Sequence, residues 1–134
     1  MTVLSINTNA SWDGNSVKTC GYIDSVFAGE ALEKMAATRM GSDGKVYNAS
    51  TSYKTSGSVC HFLGFAFDKV AVNQPVTLYK APAISSYSTS MTPGTYLFIS
   101  ASATKGQLSD APVLGVTDEP VAMAISSTDI IVLK

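Results

Sequence analysis

The stretch PVAMAISSTDIIVL, residues 120–133, contains two short apolar runs, at 120–125 and 129–133. Both runs are rich in apolar and β-branched residues and are short for helices, so each is predicted to form a strand. Three more runs of this kind occur earlier, at residues 59–67 (VCHFLGFAF), 75–79 (PVTLY) and 95–100 (TYLFIS).

Turn-forming residues separate the predicted strands. Gly, Pro, Asn and Asp supply the backbone conformations that tight turns require. They occur at residues 43–44 (DG), 73–75 (NQP), 92–94 (TPG), 105–106 (KG) and 118–120 (DEP). Short strands and turns in this series predict a mainly β fold, either a small antiparallel β-sandwich or a barrel.

The two halves of the chain weakly echo each other. In each half, a glycine-containing hairpin is followed by a strand of small residues, a short connection and an apolar strand. The segments are 43–47, 65–67 and 76–78 in the first half, and 104–108, 121–125 and 130–133 in the second. Because the spacing drifts by a few residues, we predict two related β-units rather than a repeat array.

Residues 28–40 (AGEALEKMAATRM) favour a different local structure. They are rich in good helix formers, and four apolar side chains fall near one helical face. Gly41 is placed to end such a helix. Propensity therefore predicts at most one short helix near residues 29–40, followed by a hairpin turn at 42–45.

Composition excludes several classes of function. The 134 residues suffice for one domain, and only 14% are charged, with a net charge of -1. Arg39 is the only arginine, so we expect no nucleic-acid partner, which would require clustered Lys and Arg. No apolar run reaches membrane-spanning length, so we expect no membrane partner. The N-terminus lacks the basic and apolar regions of a signal peptide, which predicts assembly in a cytoplasm.

Residues 1–27 differ in kind from residues 28–134, which we predict to form a β-rich domain. Val3, Leu4 and Ile6 form a short apolar cluster, and polar residues surround Trp12, the single tryptophan. Two interpretations stay open for this region: an ordinary first strand and loop, or an extended arm that packs on a neighbouring chain. Tryptophan is enriched at interface hot spots. The candidate partner contacts are Val3, Leu4, Ile6 and Trp12.

The sequence contains little that predicts catalysis. His61 is the only histidine and lies within an apolar run, where a packed, hydrogen-bonded side chain is expected. Cys20 and Cys60 lack zinc-ligand spacing and are expected to be buried thiols, although their pairing stays open. Most of the acidic residues sit beside turns, and no phosphate-binding glycine loop occurs. We expect no enzyme, no catalytic residues, no metal and no cofactor.

Seven phrases follow one another in a fixed order between residues 28 and 133. They are 28–32 (AGEAL), 42–49 (SDGKVYNA), 62–66 (FLGFA), 73–79 (NQPVTLY), 91–100 (MTPGTYLFIS), 106–110 (GQLSD) and 120–132 (PVAMAISSTDIIV). In this order they resemble the capsid decoration (cement) and head-fibre structural proteins of tailed phages. The chain departs from the family pattern at residues 33–40, where the usual turn glycine is missing.

This resemblance implies a β-rich virion protein on the capsid exterior, assembled in the host cytoplasm. It implies that the chain stabilises the capsid by bridging subunits of the major capsid protein, as a homotrimer. The alternative is a fibre or adhesin module on the head or tail that binds host surface glycans. An exposed cluster of Trp12 with Asn7, Asn9 and Asn15 would favour that alternative. A hydrolase that uses His61 is a third interpretation.

Overall fold

A computed structural model describes residues 2–51, 62–112 and 119–134. Within these residues the chain forms eleven strands in two antiparallel sheets, which confirms the predicted mainly β fold. Two short 3-10 turns, at Ser16–Lys18 and Ser102–Thr104, interrupt the connections. The strands are β1 Val3–Leu4, β2 Tyr22–Phe27, β3 Ala37–Met40, β4 Val46–Asn48, β5 Gly64–Ala66, β6 Pro75–Tyr79, β7 Ile84–Ser86, β8 Tyr96–Ile99, β9 Leu108–Ser109, β10 Ala122–Ala124 and β11 Asp129–Val132.

The two sheets share one topology. Sheet I has the strand order β1-β9-β8-β10-β11-β7, and sheet II has the order β2-β6-β5-β3-β4. Without β1 and counted from its other end, sheet I runs β7-β11-β10-β8-β9, which repeats sheet II strand for strand. The prediction of two related β-units is confirmed: strands β2 to β6 form unit 1 and strands β7 to β11 form unit 2.

The pairing register also repeats. In sheet II, directly paired residues form a row across four strands, which we call the inner row: Ala37, Phe65, Tyr79 and Tyr22. In sheet I, the equivalent pairs form a second row, which we call the end row: Tyr96, Met123, Ile131 and Ile84. The sequence spacing drifts because equivalent strands are joined by connections of different length.

The main core lies between the sheets. Alternate residues of sheet I, such as Leu97 and Ile130, face residues of the inner row, including the fully buried Phe65. The Phe62 and Phe65 rings pack edge to face, with centroids 5.3 Å apart. A stack of sheet I on sheet II therefore buries one face of each sheet.

A second core fills the other face of sheet II. Leu32, Val46 and Leu78 are buried there, together with small side chains. The segment that precedes β3 closes this core, because Leu32 and Val70 exchange two backbone hydrogen bonds of 3.0 Å. Sheet II thus has a core on each side.

The helix predicted near residues 29–40 is not formed. Met35 has a positive φ of 70°, and residues 37–40 form β3. Leu32 contacts the second core, whereas Met35 contacts the main core on the opposite side of sheet II. One helical face does not reach both cores, so tertiary packing overrides helix propensity. The predicted turn at 42–45 joins β3 to β4, with Gly44 at a φ of 80°.

Phe65→Ala is expected to lower the free energy of unfolding by about 3–5 kcal/mol, because it leaves a cavity in the main core. Phe67→Ala is the matched control. Its ring is 43% exposed, so we expect a loss nearer to 1 kcal/mol, roughly half the value of a fully buried side chain. Urea denaturation followed by circular dichroism measures both losses. Equal losses would contradict the placement of Phe65 between the sheets.

Candidate functional site

The N-terminal segment, residues 2–21, lies along sheet I of its own chain. Val3 and Leu4 form β1, which pairs with β9 at one edge of the sheet. Trp12 forms an isolated bridge with Ser85 of β7 at the other edge. The segment therefore covers both edges of sheet I, and unpaired sheet edges are sites of unwanted strand pairing.

The four candidate contacts are all half-buried within the chain. Leu4, Ile6 and Trp12 pack against the main core, while Val3 lies on the added edge strand. The structure thus shows a first strand at the start of this segment. Contact of these four residues with a partner stays a prediction, and part of each side chain is open to one.

Trp12 is held at a fixed orientation. Its Nε1 donates a hydrogen bond of 3.0 Å to the backbone oxygen of Phe67. Its ring packs edge-on against Tyr79 with centroids 4.9 Å apart, and Phe67 lies 5.2 Å from the same tyrosine ring. These contacts fasten the N-terminal segment to sheet II as well as to sheet I.

The rings around Trp12 form an aromatic cluster that the sequence analysis did not identify. It consists of Trp12, Phe67 and Tyr79, and the exposed Tyr22 is paired with Tyr79 on the neighbouring strand. Burial raises the pKa of Tyr79, whereas Phe67 and Tyr22 project outward. The alternation of side chains along the strand could have predicted that Tyr79 faces the core. The sequence does not show which distant segments pair, so the cluster itself could not be predicted.

The polar residues near Trp12 mainly stabilise turns of the N-terminal segment. The Asn7 side-chain oxygen accepts a hydrogen bond of 2.9 Å from the backbone of Asn9. An Asp13 carboxylate oxygen accepts one of 3.2 Å from the backbone of Ser16. Because the Trp12 indole N–H is already bonded, it has no free donor for a sugar hydroxyl.

A cluster around Glu30 joins the two units. One carboxylate oxygen accepts hydrogen bonds of 2.9 and 3.1 Å from the backbone and side chain of Asn48, and the other accepts one of 2.7 Å from Lys105. Burial raises the pKa of Glu30, but the bonds from Lys105 and Asn48 outweigh it, so the net pKa lies below its ordinary value. The cluster ties β4 of unit 1 to the β8–β9 connection of unit 2.

A second polar cluster surrounds Tyr47. The Tyr47 hydroxyl donates a 2.6 Å hydrogen bond to Asp43, which lowers the pKa of Asp43 and raises that of Tyr47. The Arg39 guanidinium lies 4.7 Å from the centre of the Tyr47 ring. A side chain at Gly29 would overlap that ring. The single arginine is thus buried against unit 1 instead of lying on an exposed basic patch.

The other candidate groups for chemistry are only partly visible. His61 and Cys60 lie outside the described residues. Cys20 is a buried thiol that donates a hydrogen bond of 3.5 Å to Val17, and burial raises its pKa. Within the described ranges, the acidic, cysteine and histidine side chains form no group of three that could hold a metal. The described part of the chain also contains no helix long and apolar enough to cross a membrane.

A surface depression of about 310 Å³ lies between the N-terminal segment and the turn before β3. Among the described residues, Glu33 and Lys34 are the charged side chains that line it, together with polar residues such as Asn7 and Gln107. These side chains can form hydrogen bonds. The lining contains neither a pair of carboxylates nor a nucleophile beside a general base.

Comparison of the chain with protein-family models, with curated proteins and with solved structures finds no match. The fold, the surfaces and the ordered sequence phrases therefore provide the basis for a functional interpretation.

Trp12 fluorescence tests whether the N-terminal segment is docked. In the dilute native protein, we expect emission at shorter wavelength and weaker acrylamide quenching than in urea, because Trp12 is half-buried on Tyr79. Trp12→Phe removes the indole hydrogen bond and is expected to cost about 1 kcal/mol of unfolding free energy, measured by circular dichroism. Native emission and quenching identical to those of the unfolded chain would show a detached arm.

Glu30→Gln tests the clamp between the units. Because the folded-state pKa of Glu30 lies below its ordinary value of 4.5, the carboxylate contributes stability above pH 4.5 and loses it as pH falls through the folded-state pKa. Glu30 and Lys105 are partly solvent-screened, so we expect a loss below about 1 kcal/mol at pH 7. The difference in unfolding free energy between Glu30→Gln and the wild type should become smaller in acid. A difference that grew in acid would contradict this assignment.

Proposed function

We propose that the chain is a structural virion protein that decorates the exterior of a tailed-phage capsid. In this role it stabilises the capsid by bridging subunits of the major capsid protein, as a homotrimer, and it performs no catalysis. The observation that carries the proposal is the ordered set of seven phrases, which resembles decoration and head-fibre proteins. Its partners are the major capsid protein and further copies of itself, with no nucleic acid or membrane involved.

The positions of the phrases within the fold support a common framework. Residues 42–49 form the turn and second strand of the β3–β4 hairpin, and residues 106–110 occupy the equivalent place in unit 2. Residues 120–132 supply β10 and β11 at the centre of sheet I. The resemblance thus lies on the strands and turns that build both units.

The covered edges of sheet I also suit a building block. Both edges are occupied by the chain's own N-terminal segment, so sheet I does not recruit stray strands there. The sequence has few charges and many hydroxyl groups, a composition that suits interfaces whose centres are depleted of charge. Three linked copies would bind several capsid subunits at once, so weak single contacts would add up to a durable attachment.

A fibre or adhesin module that binds host glycans is a second candidate. The exposed Phe67 ring, which packs on Tyr79 in the cluster with Trp12, favours it, because sugars bind aromatic platforms. This candidate predicts that the protein binds glycans and that Phe67→Ala abolishes the binding. Capsid decoration makes no such prediction. A glycan array with no signal at high protein concentration would eliminate it.

Virions assembled with and without this chain provide the test of capsid decoration. We expect virions that lack the chain to release DNA at a lower temperature and at a lower chelator concentration, and purified protein to restore the lost stability. Dye fluorescence on released DNA measures both transitions. Equal heat and chelator resistance in the two preparations would refute the cement role.

A further inference from the structure

Three side chains with complementary chemistry meet where the two units join. Lys105 carries a primary amine, Asn48 a carboxamide and Glu30 a carboxylate. The Lys105 Nζ lies 2.7 Å from one carboxylate oxygen, and the Asn48 Nδ2 donates a 3.1 Å hydrogen bond to the other. One carboxylate therefore binds both the amine and the carboxamide. We call these three residues the junction triad.

The carboxamide of Asn48 has a fixed orientation. Its Nδ2 also donates a hydrogen bond of 3.2 Å to the backbone oxygen of Ala31, so both of its N–H donors are used. On its other side, a Cβ at Gly106 would overlap the Asn48 Oδ1 and would lie 3.2 Å from Cγ. Glycine, here with a φ of 84°, permits this close approach of the backbone to the carboxamide.

The backbone beside this contact is held as well. The Gly106 N–H donates a hydrogen bond of 2.9 Å to the oxygen of Ala49. Lys105 precedes Gly106 and Asn48 precedes Ala49, so the two side chains begin at neighbouring points and meet again at Glu30. An amine and a carbonyl carbon that are kept together in this way react as if at high effective concentration.

We propose that Lys105 and Asn48 form an intramolecular isopeptide bond, with Glu30 transferring the proton. The Lys105 amine loses its ammonium proton to the solvent and attacks Asn48 Cγ. The bond from Nζ to Cγ forms, the bond from Cγ to Nδ2 breaks, and ammonia leaves. Glu30 accepts the proton that Nζ gives up and passes it to Nδ2, and it already contacts both nitrogens. The reaction consumes no oxidant, metal or further reactant.

Two properties of the junction triad set the rate. The Lys105 side chain is 51% exposed and is an ammonium in its ion pair with Glu30, whereas only the neutral amine attacks. Burial raises the pKa of Glu30, but the bonds from Lys105 and Asn48 lower it below its ordinary value, so the carboxylate is ionised at neutral pH and accepts a proton. We therefore expect fresh protein to hold a noncovalent clamp, and the bond to accumulate on storage, faster in alkaline than in neutral buffer.

The isopeptide bond would join the two units covalently. Asn48 ends β4 of unit 1, and Lys105 lies in the β8–β9 connection of unit 2. A covalent link between residues that are distant in the sequence restricts the unfolded chain, as a disulfide does. Linked protein is therefore expected to unfold at a higher urea concentration than fresh protein. The reaction does not depend on the proposed capsid role.

Peptide mapping by mass spectrometry tests for the bond in the full-length chain. Fresh protein and protein stored at neutral and at alkaline pH are checked for folding by circular dichroism, then unfolded and digested with trypsin. We expect stored protein to yield a branched peptide that joins the Asn48 and Lys105 segments, has lost the mass of one ammonia and is uncut after Lys105. Its absence from folded protein stored in alkaline buffer would overturn the proposal.

Matched variants separate this bond from other reactions. Lys105→Arg keeps a positive charge but has no nucleophilic amine, and Glu30→Gln has no carboxylate to accept the proton, so we expect no branched peptide from either. Lys134→Arg, at the separate ion pair with Glu119, is expected to link as the wild type does. Equal linkage in Glu30→Gln would refute the role of Glu30. Loss of ammonia from the Asn48 peptide alone, with normal cleavage after Lys105, would indicate deamidation and refute the bond.

Discussion

The contact of Ala37 and Phe65, in the inner row of sheet II, with the inward face of sheet I holds the rest of the molecule in place. The strands of the two sheets are two to six residues long, and isolated hairpins of that size are at best marginally stable in water. Burial of Phe65 against residues such as Leu97 and Ile130 offsets the cost of ordering them. The N-terminal segment depends on the same contact, since Trp12 touches both sheets only when they are stacked.

Much of the fold was predictable from local pattern. The apolar runs at 75–79 and 129–133 form strands in which buried and more exposed residues alternate, as a period of two requires. The similarity between the two halves of the sequence corresponds to a repeated strand order. The predictions that failed did so because long-range packing decides the local structure. Residues 29–36 have helix-forming side chains, but Leu32 and Met35 are needed in different cores. The candidate contacts in the N-terminal segment were found by composition, whereas their placement along sheet I depends on pairing with β9 and β7.

The repeated topology links the fold to the proposed role. Sheet II of unit 1 packs against a core on each face, and sheet I of unit 2 packs against the main core with one face. The N-terminal segment covers both edges of sheet I and so removes them as sites of chance pairing. In the proposed role, contacts with capsid subunits would therefore be made through the faces of the sheets and their loops.

Native-state hydrogen exchange in increasing urea tests the stack most directly, because it reports which backbone amides open together. The amide of Ala66 donates to Ala36 in unit 1, and that of Val121 donates to Leu97 in unit 2. If the two units are one cooperative structure, these amides lose protection in a single urea-dependent opening with the same free energy. If the unit 1 amide opened at a clearly lower urea concentration while unit 2 remained protected, the units would be independently stable and the account of a shared core would be wrong.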